Sequence, residues 1–321
     1  MQFLYPPLEA DLARVRALLD EVHAVDGSLM REVASYVGET RGKMLRPCLV
    51  CLANRAFGGN PAEQENPVRV AAAVELFHTA TLLHDDVIDK APLRRGRPTV
   101  NAEFGEEAAI LYADYLYATS FDLALGTLDP RAMRLLSQTT QKMTFGEFLQ
   151  IERRGGLLSL EDYMEIIRCK TAYLFGACCA LGGLVAGASD EALEQLARFG
   201  VDFGLAFQIT DDALDYEAAS EDWGKVVGTD LAEGKQTLPL LLTLQAASAA
   251  DRAHLEAVLG NGRDFSTVHA YVRKYNAIEN SLDRAAEHCR AAAGHLDLLG
   301  VDNEHVALLR RLTEEAPVRQ Y

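Results

Sequence analysis

Two aspartate clusters of identical spacing, Asp85-Asp86-Val87-Ile88-Asp89 and Asp211-Asp212-Ala213-Leu214-Asp215, carry the most chemical potential in the chain. On a helix, residues four apart share a face, so Asp85 and Asp89 present paired carboxylates, and Asp211 and Asp215 repeat the arrangement. Asp86 and Asp212 are turned about 100° away. Mg²⁺ takes hard oxygen ligands, keeps several waters, and is usually held by one or two carboxylates together with phosphate oxygens. Two such clusters therefore predict two or three Mg²⁺ ions clamping a diphosphate. The competing explanation is a solvated acidic face. It fits poorly, because Asp85 follows Thr79-Ala80-Thr81-Leu82-Leu83 and Asp211 follows Phe203-Gly204-Leu205-Ala206-Phe207-Gln208-Ile209-Thr210, both ends of mostly apolar helices.

Cations stand near these clusters. Arg94-Arg95-Gly96-Arg97-Pro98-Thr99 lies directly beyond the first, and the arginine fork matches phosphate oxygens. Gly42-Lys43-Met44-Leu45-Arg46-Pro47 sets two cations at a predicted helix start, where free N–H groups also favour an anion. His78 lies seven residues before Asp85, two turns down the same face. Lys170-Thr171 opens an uncharged run, Gln208 precedes Asp211 by three positions, and Lys225 and Lys235 follow the second cluster.

The elements that must position these groups are helices. Apolar residues recur at three- and four-residue spacing from Leu8 to Val37, predicting one amphipathic helix there. Further helical stretches cover roughly 45–57, 67–90, 103–127, 131–154, 160–187, 190–218, 237–247, 250–259, 265–274, 277–297 and 303–314. Alternating Val/Ile segments are absent, so no strand is predicted. Turn formers cluster at Gly58-Gly59-Asn60-Pro61, Pro92–Pro98, Gly155-Gly156 and Gly224–Gly234, none long enough to be an interdomain linker. The expectation is one all-α domain over residues 1–321, built of about a dozen helices.

Composition bounds the rest. The chain has 321 residues, 49% hydrophobic and 24% charged, which argues against extended disorder. A net charge of −16 argues against a nucleic-acid partner, which needs a basic face. Six cysteines are present; Cys48 and Cys51 form a C-x-x-C, yet no second pair lies at zinc-site spacing, so both are read as buried, reduced thiols on a helix. Thr171 to Ser189 is free of charge and long enough to span a bilayer. Its Gly and Ala content instead suits a helix packed on all sides by protein. The N-terminus lacks signal-peptide character. A cytoplasmic protein with no transmembrane segment is expected.

Taken together, the segments from about residue 40 to 240 resemble the trans (E-type) isoprenyl diphosphate synthases, or polyprenyl synthetases. The resemblance rests on Gly42-Lys43-x-x-Arg46-Pro47, on His78-Thr79-Ala80-Thr81-Leu82-Leu83-His84-Asp85-Asp86, and on Arg94-Arg95-Gly96-x-Pro98-Thr99. Lys170-Thr171, Phe207-Gln208-x-x-Asp211-Asp212-x-x-Asp215 and Asp230-Leu231-x-Glu233-Gly234-Lys235-x-Thr237-Leu238-Pro239 complete it. It implies the isoprenoid synthase fold around a deep central cavity, a homodimer, and condensation of isopentenyl diphosphate with an allylic diphosphate. It also implies roles. Lys43, Arg46, His78 and Arg95 would bind isopentenyl diphosphate; Arg94, Lys170, Thr171, Gln208, Lys225 and Lys235 would bind the allylic diphosphate. Asp85, Asp89 and Asp211 would ligate Mg²⁺, supported by Asp86, Asp212 and Asp215. Val226 stands where the family often has Pro, Tyr112 where it usually has a small residue, and Arg319 is a C-terminal cation able to close over the isopentenyl site.

In this family, bulky residues four and five positions before the first cluster cap the product. Here those positions are Ala80 and Thr81, with Phe77 further down and Tyr112 on a neighbouring helix, so an all-trans product of C25 to C40 is expected over farnesyl or geranylgeranyl diphosphate. Tyr115, Tyr117 and Phe121 could form a floor higher up. A class I terpene cyclase would share the fold and first cluster, and a non-catalytic partner subunit would share everything but turnover. The cyclase lacks Lys43, Arg46 and His78, and the silent subunit would not need every ligand retained.

Overall fold

A computed structural model of the chain describes residues 5–39, 42–154, 156–217, 228–260 and 264–316. The elements run α1 (Tyr5–His23), α2 (Ser28–Gly38), α3 (Leu45–Ala56), α4 (Glu65–Ile88), β1 (Leu93–Arg94), β2 (Arg97–Pro98), α5 (Val100–Phe104), α6 (Glu106–Leu125), α7 (Pro130–Glu152) and α8 (Leu160–Ile167). A π-helical turn, Arg168–Ala172, leads into α9 (Tyr173–Val185) and α10 (Asp190–Glu217). Then come α11 (Thr229–Ala232), α12 (Leu238–Ala246), α13 (Ala249–Gly260), α14 (Phe265–Lys274), α15 (Ala277–Asp297) and α16 (Glu304–Glu315). The fold is all-α, as the periodicity predicts.

Three expectations need correction. The single helix over Leu8–Val37 is two, because Gly27 takes φ +99°, a conformation that breaks the helix and that only glycine adopts without strain. A strand pair does exist: β1 and β2 form an antiparallel ribbon pairing Leu93 with Pro98 and Arg94 with Arg97. The residues between them, Arg95 at φ +52° and Gly96 at φ +77°, are both left-handed, the condition for the tight hairpin turn that matches strand twist. Two-residue strands have no alternation for a sequence pattern to register. Finally, the stretch predicted as one helix over 160–187 contains the π turn.

The chain divides into two compact units. The first comprises Met1–Thr139, Ala177–Ala197 and Leu298–Leu309. Its centre is α4, which packs against α1, α3, α5 and α6 and buries residues on every side, from Pro67, Val68 and Val70 to Phe77, Ala80 and Leu83. Arg55 of α3 ties to the buried Asp11 of α1 through Nε at 2.6 Å and Nη2 at 2.7 Å. The α9 segment of this unit explains its small residues: a Cβ on Gly182 would sit 2.2 Å from the Val50 carbonyl oxygen of α3.

The second unit comprises Thr140–Gly176, Arg198–Asp297 and Arg310–Tyr321. α12 packs against α8, α14 and α15. Here α9 and α10 touch backbone to backbone, since a Cβ on Gly200 would meet the Phe175 carbonyl oxygen at 2.4 Å and one on Gly204 the Ala172 Cα at 2.7 Å. Phe175, Phe199 and Phe203 fill the space around that crossing, with Phe175 edge-on to Phe203 at 5.5 Å. No helix among the described residues is long and apolar enough to cross a membrane. All six cysteines are buried thiols, and burial pushes Cys48 up to about 12, which keeps it from reacting as a thiolate.

Candidate active site

In the first unit the acidic and basic groups meet at the end of α4. Asp85 and Asp86 lie in its last turn and Asp89 caps it, with the Asp89 N–H donating to the Asp85 carbonyl at 2.9 Å. Asp85 and Asp89 are partly exposed, whereas Asp86 is buried. The ribbon folds back over this end. Arg94 Nε donates to Asp86 Oδ1 at 2.9 Å and Oδ2 at 3.1 Å, and Arg94 Nη2 lies 2.8 Å from Oδ1. Asp86 thus holds an arginine.

Arg95, on the turn, brings its guanidinium against Gly42: a Cβ there would be 3.2 Å from Arg95 Nη1. That contact joins the two basic motifs separated by fifty residues of sequence. Burial lowers the half-buried Arg46, Cys178 and Glu75 raise it, and the Arg95 charge lowers it again. His78 is held well below the ordinary histidine range by burial, then by Arg46, Arg94 and Arg95. Arg46, His78, Arg94 and Arg95 therefore share one neighbourhood, and the imidazole within it is neutral. Lys43 is exposed beside them in sequence.

Beneath Asp85 on α4 come Thr81 and then Phe77. Ala80 and Phe77 are fully buried and Thr81 is 8% exposed. Phe77 meets Tyr117 of α6 edge-on at 5.1 Å, and Tyr117 also contacts His84 at 5.6 Å and Phe121 at 6.3 Å. Burial raises the Tyr117 phenol, and the Asp85 and Asp114 carboxylates raise it further, which puts the ring beside the first cluster. Tyr112 belongs to a different set: its hydroxyl is 2.6 Å from His23 Nδ1 and its ring stacks on Tyr115.

In the second unit the π turn carries Cys169, Lys170 and Thr171. Such single bulges concentrate at functional sites, because they re-aim side chains that a regular helix would space evenly. Lys170 reaches Gln150 Oε1 at 3.0 Å and pairs with Glu147, both on α7. Thr171 Oγ1 donates to Gln208 Oε1 at 2.9 Å, Gln208 Nε2 donates to Asp212 Oδ1 at 2.7 Å, and the Tyr163 hydroxyl donates to Asp212 Oδ2 at 2.6 Å. Asp215 is buried and accepts from the Asp230 backbone N–H at 3.3 Å. Lys235 pairs with Glu233 at 2.7 Å and lies 3.8 Å from Asp230. Lys225 and Arg319, two expected ligand-binding cations, fall outside the described residues.

Negative charge is crowded in this unit. Asp212 is raised well above the carboxylate range by burial and by Asp230, against the hydrogen bonds from Tyr163 and Gln208 that lower it. Asp230 is pushed up to about 6, by burial first, with Lys235 pulling it down and Asp215, Asp211 and Glu233 pushing it up. A hard cation would relieve that repulsion. Among the described residues no three His, Cys, Asp or Glu side chains converge on one metal position. The clusters supply carboxylates in ones and twos, the donor set from which Mg²⁺ completes its shell with waters and phosphate oxygens.

Tyr163, Glu147, Gln150 and Asp230 contact predicted site residues without having been assigned roles from sequence, and Tyr117, expected only as part of a cavity floor, also contacts His84. Asp230 and Tyr117 stand in segments already singled out. Tyr163 lies 49 residues from Asp212, and no spacing rule connects them.

A family model described as polyprenyl synthetase matches residues 27–277, a span that crosses both units. Octaprenyl diphosphate synthase of Escherichia coli (strain K12) is 36% identical over 295 residues, 90% of each chain. Heptaprenyl diphosphate synthase component 2 of Geobacillus stearothermophilus is 36% identical over 327 residues, covering 100% of this chain and 99% of its own. Among solved structures, polyprenyl synthase from Caulobacter crescentus CB15, complexed with calcium and isoprenyl diphosphate, superposes with a TM-score of 0.91 at 35% identity, over 99% of this chain and 97% of that one.

Proposed function

The chain belongs to the polyprenyl synthetase family, and from that premise we propose that it is a Mg²⁺-dependent trans-prenyltransferase extending an allylic diphosphate head-to-tail with isopentenyl diphosphate. The observation that carries the reading is the convergence of Arg46, Arg94 and Arg95 on a neutral His78, one ribbon away from Asp85 and Asp89. Arg94 is already paired with Asp86 and Arg46 lies near Glu75, yet the Arg95 charge still opposes that of Arg46, and a further anion bound among them would offset this repulsion. A diphosphate supplies it.

In this reading Lys43, Arg46, His78 and Arg95 bind the diphosphate of isopentenyl diphosphate. Arg94, Lys170, Thr171, Gln208, Lys225 and Lys235 serve the allylic diphosphate. Asp85, Asp89 and Asp211 would hold two or three Mg²⁺ ions, which when bound neutralise the departing diphosphate. The allylic C–O bond breaks with its electron pair leaving on diphosphate. The isopentenyl double bond then supplies the pair for the new C–C bond, and a proton is lost to the diphosphate. Lys170, steadied by Glu147 and Gln150, stabilises the leaving anion, and Thr171 and Gln208 turn dipoles towards the allylic cation. The apolar wall at Phe77 and Ala80 keeps water from that cation.

Small Ala80 and Thr81 support a product of C25 to C40, with the floor at Phe77 and Tyr117. The working assembly in this reading is a homodimer of the chain in the cytoplasm. The Geobacillus relative's designation as component 2 favours a second reading, in which a different subunit is needed for turnover. Incubation of the purified chain with Mg²⁺, isopentenyl diphosphate and labelled geranyl, farnesyl or geranylgeranyl diphosphate decides. Elongated products, sized by chromatography after dephosphorylation, support the first reading. Silence that a second subunit restores selects the second, and a cyclised hydrocarbon defeats both.

A further inference from the structure

We propose that Tyr163 is a positioning residue for the ionisation step, setting through Asp212 and Gln208 the direction in which the Thr171 hydroxyl points; this rests on the prenyltransferase reading above. Tyr163 and Asp212 are both buried, and the phenol donates to Asp212 Oδ2 at 2.6 Å. Gln208 Nε2 donates to the other oxygen, Oδ1, at 2.7 Å. Both Asp212 oxygens accept in this arrangement, so the donor end of the Gln208 amide faces Asp212 and its acceptor end faces away.

That acceptor end, Oε1, receives the Thr171 hydroxyl at 2.9 Å. The single hydroxyl proton is thereby committed to Gln208, and the Oγ1 lone pairs lie on the opposite side. Lone pairs are the negative end of the hydroxyl dipole, the end that stabilises a neighbouring carbocation. With the amide turned over, an N–H would face Thr171 and the hydroxyl proton would point outward, presenting the wrong sign. Tyr163 acts against that reversal: it fixes the carboxylate that holds the amide.

A second, independent observation separates Thr171 from ordinary helical threonines. Thr79, Thr119, Thr139 and Thr243 all turn their hydroxyls back to the carbonyl four residues earlier, on Glu75, Tyr115, Leu135 and Pro239. That is the usual local bond for a threonine inside a helix. Thr171, on the π turn, bonds across to α10 instead. The chain gives up a local partner there for one whose orientation is dictated two hydrogen bonds away, at Tyr163.

The test is a double-mutant cycle on the full chain: unmutated protein, Tyr163→Phe, Thr171→Ala and the pair. Tyr163→Phe should lower kcat roughly tenfold, the loss typical of one hydrogen bond to a charged group, with KM for both substrates within about twofold. In the Thr171→Ala background the same change should cost less than about twofold, because the dipole it controls is gone. Urea melts of the four metal-free proteins should instead show Tyr163→Phe shifting the midpoint equally in both backgrounds. An equal kcat loss in both backgrounds, or none in either, overturns the assignment while leaving the prenyltransferase reading intact. An unmutated chain that stays silent even with a second subunit sinks that reading itself and this inference with it. Should Tyr163→Phe fail to fold, Gln208→Met cuts the same link one step nearer Thr171 and must show the same coupling.

Discussion

Arg94 places two nitrogens on the carboxylate of Asp86, Nε at 2.9 Å and Nη2 at 2.8 Å from Oδ1. The acid is 3% exposed and the arginine reaches it from the ribbon just beyond the helix. In the proposed function this pairing divides the labour within one cluster: Asp86 anchors Arg94, the cation assigned to the allylic diphosphate, and Asp85 and Asp89 are assigned to metal. It also means the ribbon's position depends on a buried charge.

Arg94→Lys keeps the charge but loses the planar fork. We expect kcat/KM for the allylic substrate to fall by one to two orders of magnitude, roughly 1.4–2.8 kcal/mol of transition-state stabilisation. KM for isopentenyl diphosphate should change far less. Steady-state kinetics with each substrate varied in turn distinguishes the two, and a lysine variant of near-normal kcat/KM would show that charge alone suffices.

His78 should behave as a neutral group throughout the working range. Its folded value lies well below 6.5, through burial and then Arg46, Arg94 and Arg95. The unfolded chain takes up a proton near 6.5 while the folded chain does not. Stability from this site is therefore undiminished above about pH 6.5 and is lost progressively as pH falls below it. Comparing urea midpoints of the native chain and His78→Gln at pH 7.5 and 5.5 isolates the effect. The native chain should lose more on acidification, and parallel losses would contradict a depressed imidazole.

Much of this site could be read before any coordinates. The two clusters, the arginine pair and Lys170-Thr171 are local patterns, each complete within a few residues, and helix periodicity places the two clusters near helix ends. What escaped was whatever depends on long separations. The Tyr163–Asp212 bond spans two helices, and the Gly42–Arg95 approach joins a helix start to a hairpin turn. The π turn escaped for a different reason: Arg168–Ala172 has ordinary helix-forming composition, and it is the near-contact of Gly146 with Cys169, 2.6 Å for an added Cβ, that betrays how tightly α7 packs there.

The chain-length prediction also changes with the packing. Ala80 has no exposed surface, so Ala80→Phe would overpack the centre of α4 and cost on the order of 1–3 kcal/mol, confounding a reading of product size. Thr81 lies directly beneath Asp85 and keeps some exposure. Thr81→Phe should shorten the product and Phe77→Ala should lengthen it, if the proposed floor is the edge-on pair of Phe77 and Tyr117, whose centroids are 5.1 Å apart. Chromatography of dephosphorylated products checks both. Identical products from the three proteins would place the floor elsewhere.

Asp230 gives the sharpest test of whether the second cluster is built for a cation. Its folded value of about 6, up from 3.8, arises from burial, is moderated by Lys235, and is raised further by Asp215 and Asp211. Because the folded protein holds that proton more tightly than the unfolded chain, the metal-free protein keeps this contribution below about pH 3.8 and loses it as pH rises through 6. At pH 7.5 the acid is ionised among like charges, a strain that bound Mg²⁺ removes. Mg²⁺ should therefore raise the melting temperature more at pH 7.5 than at pH 5. Asp230→Asn should stabilise the metal-free protein at pH 7.5 and shrink the gain from Mg²⁺, because it removes both the repulsion and the charge that attracts the ion. Thermal melts with chelator and with Mg²⁺, at both pH values, give all four comparisons. A gain that is independent of pH, or undiminished in the asparagine variant, would mean that Asp230 and its neighbours do not sense the metal.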